Sequence, residues 1–243
     1  MSPAKRASTR GADLRLVEEI QTRLTAAGDP ERAAKMQAYM KSEMPFYGVP
    51  APTQKTIFKE AFRSHPLETE VRWKATILHL WRGASHREER YAAIGLSGFR
   101  SYREMQTFDV MPVYEEMVVT GAWWDYVDAV AIHRIGEFLL RDFPKGMGPL
   151  LRMWSNDEDM WRRRSAIISQ VALKDETDLD LLYTCIEPNL DDKAFFIRKA
   201  IGWALRAYAW IDAAEIRRYV STNASRLSPL SRKEALKNVG STG

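Results

Sequence analysis

The stretch "FIRKAIGW" (196–203) is one of four similar segments that recur along this sequence. Each has alanine at its fifth position followed by isoleucine or valine, and the others are "ERYAAIGL" (89–96), "DYVDAVAI" (125–132) and "RRRSAIIS" (162–169). The four alanines are 36, 37 and 34 residues apart, an interval that fits two helices and their turns. The pattern predicts stacked helix pairs with the isoleucine or valine in the core.

The rest of the chain has the same helical character. Apolar residues recur at spacings of three and four, as in "LRLVEEIQTRL" (14–24) and "TQKTIFKEAF" (53–62). Short breaks such as "AGDPE" (27–31) and "DFPKGMGP" (142–149) are typical of helix–helix loops. The sequence therefore predicts an all-α protein, an α-α superhelix (solenoid) of HEAT-like helical repeats whose concave face would bind a long partner.

Composition and termini suggest a simple organisation. Residues 1–12 are small, polar and basic and predict a disordered arm, followed by a single domain over residues 13–240. Cys185 is the only cysteine, and no apolar secretory segment begins the chain, so we expect a cytoplasmic protein. Charges interrupt the apolar runs before the roughly 20 residues that a membrane span needs. We expect no membrane partner, and a monomer.

The charge is unevenly distributed. The net charge is +4, of which residues 1–12 contribute +3 and residues 217–243 contribute +5, so the remaining body carries −4. Further bases cluster in "WRRRS" (161–165) and "FIRKA" (196–200). A polyanionic partner would have to meet these surfaces, although one such cluster is more often a solvated helix face.

Four polar and aromatic residues share a position within the repeats. Relative to the alanine of their own repeat, Trp124 lies at −5, Asp128 at −1, Arg164 at −2 and Trp203 at +3. At about 100° per residue these offsets fall within an arc of about 140°, away from the core position. The register predicts that all four lie on one side of consecutive repeats.

Each of these residues also has an ordinary structural interpretation. A lone helical tryptophan is more often a core residue, which would account for Trp124 and Trp203. Asp128 alone fits a helix cap or a salt-bridge partner, with Arg164 as a candidate. The neighbouring Asp125 fits a helix cap, and we interpret it as structural. The shared register is what favours a functional site.

Other chemistries lack the residues that they require. The four histidines have no metal-binding spacing, and a single cysteine cannot complete a zinc site, so no metal is predicted. The glycines of "GMGPLL" (146–151) follow no strand, and the sequence has no Walker loop and no G-x-S-x-G motif. The sequence therefore predicts no cofactor.

Five ordered segments, spread from about residue 20 to residue 237, resemble the AlkD-type DNA alkylation repair glycosylases. These segments are "MQAYMKSEMPFYGV" (36–49), "MVVTGAWWDYVD" (117–128), "WRRRSAI" (161–167), "FFIRKAIGWALRAYA" (195–209) and "LSPLSRKEALK" (227–237). The chain departs modestly from that family, with two arginines directly before Arg164 and the additional basic arm. The departures remove none of the positions that the family uses for catalysis.

The resemblance implies a monofunctional DNA N-glycosylase that removes cationic alkylated purines from duplex DNA without flipping the base. Its active site would comprise Trp124, Asp128 and Trp203, with Arg164 gripping a phosphate beside the lesion. Tyr39 would be an aromatic residue that approaches the DNA. The alternative is a non-catalytic helical-repeat module that binds nucleic acid or protein.

We expect non-specific affinity for DNA to come from phosphate contacts made by basic residues in three segments. Those of the two internal clusters and the C-terminal segment are Arg162, Arg163, Arg198, Lys199, Arg232, Lys233 and Lys237.

Overall fold

The structure is a computed structural model that describes residues 10–237 and Val239. Over these residues every regular element is helical and no β-strand is present, so the predicted all-α class is confirmed. The helices form two compact units, with the boundary between Val113 and Tyr114. The single domain over 13–240 stays a prediction, and residues 1–9 of the predicted arm lie outside the described residues.

The first unit contains five α-helices and two short 3₁₀ segments (100–105 and 108–110). The helices are α1 (Leu14–Ala26), α2 (Pro30–Met40), α3 (Ala51–Ser64), α4 (Glu70–Arg82) and α5 (Arg87–Ser97). Capping side chains define several of their starts. Asp13, for example, accepts a hydrogen bond from the backbone N–H of Leu16 at 3.0 Å, which satisfies a free donor of the first turn of α1.

The second unit carries the remaining α-helices, except that the first three residues of α6 belong to the first unit. They are α6 (Met111–Gly121), α7 (Trp124–Val130), α8 (Pro144–Trp154), α9 (Met160–Ile168), α10 (Leu179–Ile186), α11 (Phe195–Tyr208), α12 (Ala213–Thr222) and α13 (Pro229–Ala235). A π-helical segment, Ala131–Leu140, continues α7 without a break. Within the described part of the chain, no helix has both the length and the apolar character to cross a bilayer.

The predicted repeat matches the order of the helices. The four repeat alanines lie on α5, α7, α9 and α11, so each interval covers one helix pair. The following residues, Ile94, Val130, Ile167 and Ile201, are all buried, as the pattern predicts. Of the alanines themselves, only Ala129 is partly exposed. The periodicity therefore predicts how the helices pair. It also predicts which side of the second helix in each pair faces the core.

The π-helical segment approaches the end of α9 at Gly136. A side chain at Gly136 would collide with the backbone carbonyl of Ser169, which cannot move aside as a flexible side chain can. We expect Gly136→Ala to lower the free energy of unfolding by about 2 kcal/mol or more. The matched control is Gly95→Ala in α5, where the new methyl group meets Phe58 at an ordinary 3.6 Å. Equal urea denaturation midpoints for the two variants would contradict this close approach.

Candidate active site

Helix α7 presents Trp124 and Asp128 side by side. The helix begins directly after Trp123, and Trp124 and Asp128 are four residues apart, so their side chains are neighbours on the helix surface. Tyr126 and Val130, on the opposite side, are fully buried. Packing of that side fixes the rotation of α7 and leaves the indole and the carboxylate on its less buried face.

The interpretation of Asp125 as the cap of this helix is wrong. Trp123 occupies the N-cap position and makes no side-chain cap hydrogen bond, while Asp125 lies within the first helical turn. The helix starts before Asp125, so Asp125 does not occupy the N-cap position. A negative charge in the first turn still interacts favourably with the helix dipole.

Arg164 of α9 holds the Asp128 carboxylate with both arms of its guanidinium. Its Nε donates to Oδ1 at 2.7 Å and its Nη2 donates to Oδ2 at 2.8 Å, a bidentate arrangement that fixes the plane of the carboxylate. Its Nη1 donates to the backbone carbonyl of Phe196 in α11 at 2.6 Å. One buried arginine therefore connects α7, α9 and α11, the odd-numbered helices of three consecutive repeats.

Asp128 lies at the edge of the buried region. Its side chain is 13% exposed, whereas that of Arg164 is 5% exposed. Burial raises the pKa of Asp128, the hydrogen bonds and charge of Arg164 lower it, and the nearby charge of Asp125 raises it, with a net shift upward. Arg164 thus limits the cost of keeping a charged carboxylate in this partly desolvated position.

Three aromatic rings pack together beside this ion pair. The ring of Phe196 lies 5.7 Å from that of Trp123 and 5.1 Å from that of Trp161 between centroids, and the two indoles are 6.5 Å apart. The Arg164 guanidinium carbon is 5.8 Å from the Phe196 centroid. The indole N–H of Trp123 is buried and has no hydrogen-bond partner among the described residues. The Phe196 ring is the member of the cluster that lies against the Arg164 guanidinium.

Sequence reasoning did not identify this aromatic cluster, although the repeats carry a signal for it. Trp123, Trp161 and Phe196 lie six, five and four residues before the alanines of their own repeats. An aromatic side chain at nearly the same register in three consecutive repeats predicts rings that meet along the stack.

Trp203 lies on α11 and is partly buried, packed against the core of the second unit. It follows Phe196 by seven residues, so the two side chains project from the same face of the helix two turns apart. Among the four predicted site residues, direct contact is observed between Asp128 and Arg164. Trp124 adjoins Asp128 on α7. Trp203 lies two turns after Phe196 on α11, and the backbone carbonyl of Phe196 accepts a hydrogen bond from Arg164.

Two of the arginines predicted to contact phosphates form ion pairs with acidic side chains. Arg162 lies 2.7 Å from Glu115 and 3.0 Å from Asp157, and Arg163 lies 3.1 Å from Asp192. These carboxylates offset the charge of the arginines at short range. A DNA phosphate would have to compete with them, so a contact by either arginine would contribute less than its charge alone suggests.

The other predicted phosphate contacts lie on α11, on α13 and, for Lys237, two residues after α13 ends. Lys199 pairs with Glu234 at 2.9 Å, and the Nε of Arg198 is buried with no hydrogen-bond partner among the described residues. Arg232 is half-buried, whereas Lys233 and Lys237 are exposed. The two exposed lysines are the most accessible of the predicted phosphate contacts.

The structure does not show Arg164 in a position to bind a phosphate, as the resemblance implied. The two donors that would match two phosphate oxygens are directed at Asp128, and the residue is almost fully buried. In the structure Arg164 holds the Asp128 carboxylate, and its phosphate contact stays a prediction.

Tyr39 lies on α2 of the first unit and is 78% exposed. It borders an apolar depression of about 330 Å³ lined by Met36, Met40, Phe46, Ala51, Gln54 and Tyr91. Its exposure leaves the ring available to a partner, and its contact with DNA stays a prediction. In the described part of the chain, no group of three or more histidine, cysteine, aspartate and glutamate side chains is placed to hold a metal ion.

The stacked helix pairs, with the Asp128 carboxylate held by Arg164 between two of them, make this an all-α protein consistent with an α-α superhelical fold. The family model of the DNA alkylation repair enzymes matches residues 20–239. The chain therefore belongs to the DNA alkylation repair enzyme family, as the resemblance predicted.

A solved structure supports the same assignment. It is described as a predicted DNA alkylation repair enzyme from Enterococcus faecalis and is 30% identical to this chain, with a TM-score of 0.77. The match covers 88% of this chain and 98% of that one. No curated protein gives a significant match.

Proposed function

We propose that this protein is a monofunctional DNA N-glycosylase of base excision repair. It would hydrolyse the N-glycosidic bond of cationic alkylated purines, such as 7-methylguanine and 3-methyladenine, in duplex DNA, acting as a cytoplasmic monomer. The observation that carries the proposal is the Asp128 carboxylate, held by the Arg164 fork at 2.7 and 2.8 Å and still 13% exposed. Membership of a DNA alkylation repair family suggests DNA as the substrate.

The chemistry of these lesions determines where catalysis is needed. A purine alkylated at a ring nitrogen already carries positive charge and leaves as a neutral base, so it needs little help from a general acid. As the bond breaks, positive charge develops on the deoxyribose, which becomes oxocarbenium-like. The useful catalytic group is therefore an anion fixed near the sugar carbon.

Asp128 has the properties of such an anion. A carboxylate offers about four lone-pair positions, and the Arg164 fork uses two of them. The remaining positions are free to face a sugar cation or to orient the attacking water. Because the fork and the packed side of α7 hold the group in place, little reorganisation is needed when charge develops.

Trp124 and Trp203 would complete the site with aromatic surface. An indole face near a cation contributes about 0.5–2 kcal/mol, more when water is excluded. Trp124 lies one turn before Asp128 on α7, and Trp203 is only partly buried on α11. Both rings can therefore meet a sugar and its backbone while displacing water from them.

Release without base flipping forms part of the proposal and rests on the family resemblance. If the enzyme grips the sugar-phosphate backbone and leaves the base stacked, the lesion need not fit a closed pocket. The enzyme should then tolerate bulky adducts as well as methyl groups.

The direct test of the activity uses a duplex containing one 7-methylguanine. The purified protein is incubated with the duplex, which is then treated with alkali to cleave abasic sites. We expect strand scission at the lesion and none in the unmodified duplex. Binding of the duplex without scission would refute the glycosylase and support the alternative of a non-catalytic DNA-binding module.

The pH dependence of base release should follow Asp128. Burial raises the pKa of this carboxyl group above its usual value of about 3.9, so protonation begins at a higher pH than for an exposed aspartate. We expect the single-turnover rate to fall as the pH decreases through that raised pKa, because only the ionised form stabilises the sugar cation. Unfolding does not explain this fall in rate. Because the pKa of Asp128 is raised in the folded protein, protonation of this carboxyl group favours the folded state.

The measurement is a pH–rate profile with circular dichroism at each pH. Asp125→Asn serves as a probe, since removing a neighbouring negative charge should move the acidic limb to lower pH. An acidic limb unmoved by Asp125→Asn would contradict the assignment to Asp128.

The salt dependence of DNA binding should distinguish the exposed lysines from the paired arginines. Lys233 is exposed, and the described residues give it no ion pair, whereas Arg163 is paired with Asp192. We expect Lys233→Gln to reduce the slope of log affinity against log salt by about 0.9, the value for one phosphate contact. Arg163→Gln should change the slope less, and the opposite order would contradict this ranking.

A further inference from the structure

Trp210 lies just beyond the end of α11 and is 72% exposed. The helix ends at Tyr208, Ala209 keeps helical backbone angles of φ −60° and ψ −18°, and Trp210 follows in a turn. A tryptophan exposed to this degree contributes little to the core. Its ring is available to a partner, and Trp210 is not one of the candidate active-site residues.

Two aromatic residues of α11 lie on one line, and Trp210 follows them at the same sequence spacing just after the helix ends. Phe196, Trp203 and Trp210 are spaced by seven residues, which rotates each only about 20° from the one before. The line begins at the Phe196 carbonyl that binds Arg164 and passes through Trp203. With the helical rise of about 1.5 Å per residue extended over the two residues after Tyr208, Trp210 follows Trp203 by about 10 Å on the side of α11 that carries the candidate active site.

Basic side chains alternate with these rings. Lys199 and Arg206 each follow an aromatic residue of the line by three positions, and both pair with Glu234 of α13. Since the two cations share a single carboxylate, the group retains a net positive charge. Both cations are partly exposed on the same strip of the helix.

Helix α13 adds further positive charge beside this line. It packs against α11 at Gly202, where a side chain would collide with the Ser231 carbonyl and the Glu234 side chain. This close approach puts α13, the helix that carries Arg232 and Lys233, directly beside α11. The surface therefore combines a row of rings with a flank of cations, a pattern that fits nucleic acid because sugars and bases meet rings while phosphates meet cations.

We propose that Trp210 is a further DNA contact, which holds undamaged nucleotides beside the lesion. At about 10 Å from Trp203, it would meet the duplex roughly three steps of 3.4 Å away from the reacting sugar. The ring packs against deoxyribose and base edges and makes no phosphate contact. The inference rests on the proposed function, because it takes the lesion to lie at Trp203 and Asp128.

The test compares the DNA affinity of Trp210→Ala with that of the wild type, by fluorescence anisotropy on undamaged and 7-methylguanine duplexes. We expect binding of both duplexes to weaken about tenfold, as for loss of one aromatic contact with DNA. The salt slope should stay unchanged, because no phosphate contact is lost. The single-turnover rate at saturating protein should also stay at the wild-type value.

Two further variants serve as controls. Trp210→Phe keeps an aromatic ring and should retain most of the affinity. Met153→Ala removes a comparably exposed apolar side chain on α8, away from the line, and should bind as the wild type does. Equal affinities for Trp210→Ala and Met153→Ala would overturn the proposal.

Duplex length gives the position of the contact. When one arm of the duplex is shortened to fewer than three base pairs beyond the lesion, Trp210→Ala and wild type should bind equally well; shortening the other arm should preserve the difference. A difference that survives both truncations would overturn the proposed placement. Affinity for undamaged DNA is measured independently of base release. The experiment can therefore distinguish the absence of a Trp210 contact from the absence of glycosylase activity.

Discussion

Asp128→Asn is expected to slow the single-turnover release of 7-methylguanine by at least about a hundredfold, the usual cost of removing one preorganised electrostatic contact. The amide keeps the size of the carboxylate but carries no negative charge to offset the sugar cation. It also turns an N–H₂ group towards one donor of Arg164, which disrupts the fork. Lesion-duplex affinity should change less than threefold, because the reacting sugar is uncharged before the bond breaks.

The matched control for this variant is Asp125→Asn, which removes the same charge from the first turn of the same helix. It should retain most of the release activity, since Arg164 does not hold that carboxylate. Thermal unfolding of both variants checks that the fold survives. Release by Asp128→Asn within threefold of the wild-type rate would show that the carboxylate is not the catalytic anion.

Arg164→Ala is expected to damage stability and catalysis together. The substitution leaves the largely buried Asp128 carboxylate and the Phe196 carbonyl without their donor, which should lower the free energy of unfolding by about 2–4 kcal/mol. It also removes the positive charge that lowers the pKa of Asp128, so the acidic limb of the pH–rate profile should move to higher pH. Urea denaturation and the pH–rate profile measure the two effects.

The same variant separates the two roles considered for Arg164. A positioning residue leaves the salt slope of DNA binding unchanged, whereas loss of a phosphate contact reduces it by about 0.9. Arg164→Lys supplies one charged donor in place of the fork and should recover part of the stability, but not the carboxylate geometry. Unchanged stability of Arg164→Ala with a reduced salt slope would establish the phosphate contact instead.

The helix order was predictable because the repeat is encoded in local sequence. Small residues followed by isoleucine or valine, at intervals of 34 to 37 residues, identify every second helix from α5 to α11. The π-helical segment Ala131–Leu140 was not predictable. Its sequence has an ordinary helical period, and its backbone shape accompanies the close packing of Gly136 against the carbonyl of Ser169, a contact made 33 residues later in the chain.

The proximity of Asp128 and Arg164 was predictable from the sequence, whereas the choice between their ion pair and separate contacts was left open. Helical register places Asp128 and Arg164 on the same side of neighbouring repeats, which leaves both an ion pair and separate contacts with DNA possible. The structure selects the ion pair because α7 and α9 lie close enough for a fork. The third anchor, the Phe196 carbonyl, is a backbone acceptor, and its side chain carries no signal for that role.

The predicted phosphate contacts show the same limit for charged residues. The sequence around Arg163 and Lys199 predicts no ion pair for either residue. In the structure, Asp192 and Glu234 lie within ion-pair distance of them. Those acids come 29 and 35 residues later in the chain, so only the packing of helices brings them near. Charge clusters therefore overstate the positive surface that DNA can meet.

The central claim is that the Asp128 carboxylate stabilises positive charge on the sugar, and binding to a charged sugar analogue tests it most directly. The affinity of the protein is measured for two duplexes that differ only at one abasic position, a cationic pyrrolidine or a neutral tetrahydrofuran. The wild type should prefer the cationic duplex at least tenfold at low salt, and Asp128→Asn should lose that preference. Equal wild-type affinities, or a preference that survives Asp128→Asn, would contradict the account.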